Sequence, residues 1–213
     1  MKGIRFDGFH TWDDFSLVLS PNPKIEAPTP KTETIEIPGA DGELDLSEYF
    51  GDIKFKNRML TFSFSTLVPK SEFWTLFSTI QDALHGKKMR VILDDDPEFY
   101  YYGRVSVSDW KAEKNIGKIV IEVDAEPYKY RLRPTTVSMP VNGTQYIVCR
   151  NLRKWVVPVF TTTADMEIVF DGKTYSATAG TFTIPDLQLK QGENILKITG
   201  TGTVTIEYQE GGL

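Results

Sequence analysis

Three consecutive carboxylates, Asp94, Asp95 and Asp96, form the densest group of chemically capable side chains in the sequence. Clustered carboxylates can hold a hard cation such as calcium. A calcium loop, however, spaces its ligands and adds a turn glycine and a closing glutamate, and "DDDPEFYYYG" follows no such pattern. It reads as an acidic hairpin tip ahead of Pro97, open to surface contacts. Glycoside hydrolysis needs two carboxyl groups roughly 5–10 Å apart on facing elements. With 29 acidic residues, the sequence gives no reason to single out a pair. His10 and His85 are too few and too separated for a metal cluster. Cys149, the lone cysteine, lies in "QYIVCRN" and reads as a small hydrophobe within a strand. A nucleophilic thiol would want a histidine beside it. The "GTG" at 200–202 opens no helix after a strand, so it reads as a turn and not a phosphate cradle. G-x-S-x-G, H-E-x-x-H and C-x-x-C are all missing. No catalytic constellation, cofactor site or metal site is expected. Trp155 and Tyr175 are candidates for a sugar-stacking platform, set against the common use of such aromatics as core.

The elements that must position these residues follow from composition and period. A chain of 213 residues suits one large domain or two small ones. Thirteen Phe and nine Tyr favour strands, where aromatics fit a pleated surface. The net charge of −5 argues against nucleic acid as the main partner, because phosphate binding needs a concentrated basic surface. No run of about 18 apolar residues is present, so no membrane insertion is expected. "MKGIRFDGFH" has no apolar core of a secretory signal. A single cysteine permits no intrachain disulfide, which fits synthesis in a reducing cytosol.

Strand-like pieces, "IRF", "FSLVLS" and "TIEIP", open the chain. Residues 20–33 carry four prolines and read as an extended loop. In "IPGADGELDLSEYFG", Pro38-Gly39 and Asp41-Gly42 are turn dipeptides, and Asp-Gly between alternating runs signals a hairpin. "MLTFSFST" alternates, with Leu60, Phe62 and Phe64 on one side. Phe73, Phe77, Ile80 and Leu84 then recur at helical spacing. The one predicted helix covers about 70–85, with Ser71 as N-cap and Gly86 and the lysines 87 and 88 past its end. Strands are predicted at 89–94, 99–109 and 115–125. Beyond Pro134 short strands such as "TTVSMPV", "QYIVCR", "NILKIT" and "TVTIEY" alternate with Gly, Asp and Asn turns, the signature of a compact β-sandwich. The expected organisation is a mixed, sandwich-like β domain with one helix over 1–130, then a small all-β domain over 135–213. Between them "DAEPYKYRLRP" reads as a joint, with Pro127 and Pro134 keeping the chain extended and Tyr128 and Tyr130 burying their rings.

Taken together, "GIRFDGFHTWDDFSLVL", "IPGADGELDLSEYFGDIKFKNRMLTFSF", "EFWTLFSTIQDALHGKKMRVILDDDPEFYYYGRV", "VDAEPYKY" and the closing "LKQGENILKITGTGTVTIEYQEGGL" resemble, in order and spacing, the phage distal tail protein family of long non-contractile tails. The resemblance spans the chain. It implies a structural protein and not an enzyme, made in the host cytoplasm and carried at the tail tip of a phage or prophage virion. It implies a homo-hexamer, a ring that bridges the tail-tube protein to baseplate or tail-tip proteins. Among these are a tail-associated lysin-like protein and often a receptor-binding protein. It further implies a belt hairpin in the first domain that wraps onto the next subunit, placed here at about 33–66 with Pro38, Gly39, Asp41, Gly42, Tyr49 and Phe50, and a galectin-like second domain. A second domain of only about 80 residues departs from larger relatives, leaving no room for inserted arms or carbohydrate modules. The alternative function is a carbohydrate-binding module that recognises host cell-surface glycans through the second domain.

Overall fold

The structure, a computed structural model, describes residues 2–49, 51–66, 68–113 and 116–213. The chain divides into two compact units, one covering residues 1–129 together with Leu213 and the other 130–212.

The first unit is built on strands β1 (Ile4–Phe6), β2 (Phe9–His10), β3 (Val18–Leu19), β4 (Lys24–Ile25), β5 (Thr34–Glu36), β6 (Glu43–Asp45) and β7 (Arg58–Thr66), helix α1 (Phe73–Leu84), and strands β8 (Lys88–Leu93), β9 (Phe99–Glu113) and β10 (Ile116–Ala125). One antiparallel sheet runs in the order β2-β1-β8-β9-β10-β7-β3, with β4 also on β7. Strict alternation makes it one-sided. Leu60, Phe62 and Phe64 of β7 and Ile119, Ile121 and Val123 of β10 are all buried on the inner face. The rings of Phe6 on β1 and Phe62 on β7 lie 6.5 Å apart although three strands separate them. A flat sheet would hold them much further apart, since neighbouring strands sit about 4.8 Å from each other, so the sheet is rolled around its core. Ile80 and Leu84 of α1 fill the inside.

The helix starts one turn later than its period predicts. Residues Lys70–Glu72 form a 3-10 turn, and neither end has a side-chain cap from Ser71. Its other end is closed as expected. Gly86 takes φ of 76°, and Lys87 Nζ donates to the carbonyls of Asp82 and Ala83 at 2.7 Å each, a cation set against the carbonyl end of the helix.

The second unit holds β11 (Lys129–Arg131, beginning one residue before it), β12 (Thr135–Asn151), β13 (Val159–Thr162), β14 (Met166–Phe170), β15 (Lys173–Ala177), β16 (Gly180–Thr183), β17 (Gly192–Tyr208) and β18 (Gly211–Gly212). Four of the short strands expected from the sequence are in fact two long ones. β12 and β17 pair in one unbroken antiparallel register from Thr135↔Tyr208 to Asn151↔Gly192. Gly200 and Gly202, read from the sequence as a turn, sit inside this ladder, Gly200 opposite Gly143 and Gly202 opposite Val141. Gly143 has φ of 79° and Gly202 of 152°, backbone that L side chains avoid. Here glycine bends a strand instead of ending it. The fold-back is measurable, because the Tyr208 hydroxyl at one end of the ribbon donates to the Arg150 carbonyl near the other at 2.6 Å. One half of β17 carries β13 and β16, the other half β14 and β15. The bend stacks these halves over a core of Val141, Ile147, Phe160, Ile168, Leu196, Ile198, Val204 and Ile206.

Candidate functional site

The acidic triplet does not act together. Asp94 accepts from the Gly3 amide at 2.7 Å and lies 3.1 Å from His10 Nε2. Asp95 pairs with Lys2, and Asp96 with Lys129 at 2.6 Å. Burial raises the Asp94 pKa, but the Gly3 amide, His10 and Arg5 outweigh it and the carboxyl is held below its ordinary value. The tip therefore ties chain segments within the first unit. Among the described residues no group of three or more His, Cys, Asp or Glu side chains is placed to hold a metal ion. Burial pushes the Cys149 thiol up to about 11, which leaves little thiolate near neutral pH. Tyr175 packs against the core of the second unit, and Lys190 Nζ stands 5.7 Å from the Trp155 ring centroid.

The joint residues are found on both sides of the unit boundary. The Pro127 carbonyl accepts from Arg58 Nη1 at 3.3 Å. The Tyr128 ring meets Phe55 edge-on at 6.0 Å, within the first unit. Tyr130, only 7% exposed, belongs to the second unit, where Lys154 Nζ donates to its hydroxyl at 3.0 Å.

Pro38, Gly39, Asp41, Gly42 and Tyr49 lie on an arm that extends from the first unit's sheet; Phe50 lies outside the described residues. Its base is a ladder. Lys31 donates its amide to the Lys54 carbonyl and Lys56 to Thr29, each at 2.8 Å, around the bridge Pro30↔Phe55. Further out β5 and β6 pair as an isolated two-stranded ribbon. Gly39 and Gly42 take φ of 84° and 78°, as the turn dipeptides require. Ile35 faces Leu44 across the ribbon, and Glu36 faces Glu43. One side of the ribbon is thus aliphatic and the other acidic. The aliphatic side is exposed: Ile35 is 50% exposed and Leu44 48%. A lone two-stranded hairpin is marginal in water, and two carboxylates directly opposed weaken it further.

Charge marks off the same segment. Between Thr32 and Ile53 the sequence has seven Asp and Glu and no Lys or Arg. Removing those seven charges from the net −5 leaves the rest of the chain at +2. The composition-level reading of the sequence missed this, because the seven acids are dispersed among turn residues and aliphatics and form no run.

The rolled sheet with its helix and emergent arm, together with the bent-ribbon β unit, is the mainly β fold of a solved phage protein. One structure to which the chain is similar is the crystal structure of the SPP1 Dit (gp 19.1) protein, described as a paradigm of the hub adsorption apparatus in Gram-positive infecting phages. The match covers 98% of this chain and 99% of that one, with a TM-score of 0.71 and 16% sequence identity. No protein-family model and no curated protein matches the sequence.

Proposed function

We propose that this chain is a structural, non-enzymatic phage or prophage tail component, a distal tail protein whose copies close into a hexameric ring. The ring joins the tail tube to tail-tip or baseplate proteins, including a lysin-like protein and, in some tails, a receptor-binding protein. The observation that carries this reading is the fold likeness, which runs through both units nearly end to end. On this reading residues 1–130 form the ring, with the arm as its belt, and the galectin-like domain over 135–213 lies outside it.

The arm supports assembly on physical grounds. Its exposed aliphatic side needs a cover, and two acidic arms repel each other, which disfavours a twofold arm-on-arm contact. An arm that docks on a different surface of the next copy makes a heterologous contact, the type that closes into rings. Native mass measurement and micrographs test this. A species of six times the 24.2 kDa chain, ring-shaped in micrographs, is the expected result. A protein that stays monomeric at about millimolar concentration, where even weak contacts form, and also in the presence of isolated tail tubes would overturn the reading.

A further inference from the structure

We infer that Arg58 couples the root of the arm to the joint at residues 127–129, so that a displacement of the arm loosens the joint within the same chain. Arg58 is only 8% exposed, and it is held by carbonyls and a ring in place of a carboxylate. Its Nε donates to the Glu26 carbonyl at 2.7 Å and its Nη1 to the Pro127 carbonyl at 3.3 Å. The centre of its guanidinium stands 5.3 Å from the centroid of the Tyr101 ring. A buried cation must keep its acceptors, because little water is at hand to replace them. If one carbonyl withdraws, the guanidinium turns to follow it or to find water, and its bond to the other carbonyl goes too.

The two carbonyls belong to different elements. Glu26 follows β4 and opens the segment that leads into the arm, its amide donating to the Met59 carbonyl at 3.1 Å. From there the paired segments run outward through the Lys56–Thr29 and Lys31–Lys54 hydrogen bonds, so the root is continuous with the base of the arm. Pro127 opens the joint just after Ala125, which faces Arg58 across β10 and β7. A second contact runs beside the first. Phe55, bridged to Pro30 in the base of the arm, meets the Tyr128 ring edge-on. Phe55 and Arg58, on one segment, thus hold the consecutive joint residues 128 and 127. The far side of the joint is pinned by Lys129, which bonds Asp96 at 2.6 Å and lies 4.4 Å from the Phe99 ring centroid. The joint is clamped between the root of the arm and the acidic tip, and only the first clamp senses the arm. Such coupling is reciprocal, so a loosened joint also frees the arm. It is a property of the single chain and goes beyond the assembly reading, on which a docked arm would set how firmly the joint is held.

The test measures amide hydrogen exchange by NMR on the dilute full chain, at Glu126, Tyr128 and Lys129. Lys31→Pro removes the amide that bonds the Lys54 carbonyl and disturbs the base of the arm without touching Arg58, Phe55 or the joint. It should speed exchange at the three joint amides about tenfold, an opening of local kind, with Val91 in the core of the sheet unchanged. Arg58→Met keeps the bulk of the side chain and removes its donors. It should give the same acceleration by itself, and Lys31→Pro added to it should contribute about twofold or less, the mark of residues in one network. Unchanged joint exchange in Lys31→Pro, or the full further increase in the Arg58→Met chain, would overturn the coupling and leave the ring reading as it stands. Should Arg58→Met fail to fold, Arg58→Lys takes its place, because lysine keeps the charge but lacks the rigid fork that spans both carbonyls.

Discussion

At the scale of single residues, Tyr208 links the two ends of the second unit's ribbon. Its hydroxyl is buried against the Arg150 carbonyl. Burial, reinforced by Cys149 and Glu210, pushes its pKa up to about 12, against about 10 for a free tyrosine. The neutral form is favoured in the folded state, so the contribution is complete below about pH 10 and is lost as pH rises from there through about 12. Tyr208→Phe should cost about 1 kcal/mol, the worth of a typical hydrogen bond, and should flatten this alkaline loss of stability. Denaturant unfolding at pH 8 and pH 11 checks both; an unchanged alkaline slope would mean that Tyr208 is not its source. Nothing in "TIEYQEGG" announces this bond, because its partner lies 58 residues away. Gly103 is equally silent. A side chain there would strike the backbone of Asp124 and Ala125, a constraint of sheet approach that one sequence does not display.

At the scale of elements, what the sequence reveals depends on whether an element's rule is local. β7, β10 and α1 were readable because their period and their burial agree. Lys87 was readable as a helix terminator because its partners are its own preceding turn. β12 and β17 were not, because a glycine in a bend and a glycine in a turn look alike until the partner strand is known. The arm was readable as a hairpin through Pro38-Gly39 and Asp41-Gly42, while its exposure is a property of the tertiary structure. That exposure gives a separable test. Ile35→Asp and Leu44→Asp remove no core contact, so folding stability should stay within about 0.5 kcal/mol of the parent chain. Assembly measured by sedimentation should fall sharply. A large loss of melting temperature in the monomer would show that the arm is packed in its own chain.

For the whole molecule, the separation of charge governs association. The arm carries all of the excess negative charge, and the remainder is slightly positive. Contacts between exposed charges are screened over about 10 Å at 0.1 M salt and about 3 Å at 1 M. Assembly should therefore weaken several-fold between about 0.05 and 0.5 M sodium chloride, read as a shift of the concentration midpoint in sedimentation. An assembly that strengthens with salt would place the weight on apolar burial alone. The overall organisation, a helix-bearing β unit followed by an all-β unit, was legible because it follows from where helical period occurs and where it stops. The identity of the surfaces that meet was not, since it depends on which side chains a rolled sheet leaves outside.

The long ribbon also sets a timetable. Among the described residues β12 pairs with no strand but β17, and Thr135 finds its partner in Tyr208. A ribosome adds roughly 5–20 residues per second, so β12 emerges on the order of several seconds before its partner exists. For that interval a seventeen-residue strand has open edges on both sides, at the stage when unpaired edges invite aggregation. The first unit has all its strands by then and is free to fold on its own. The second must wait for nearly its last residue, which makes its birth, more than its finished form, the vulnerable moment of this protein.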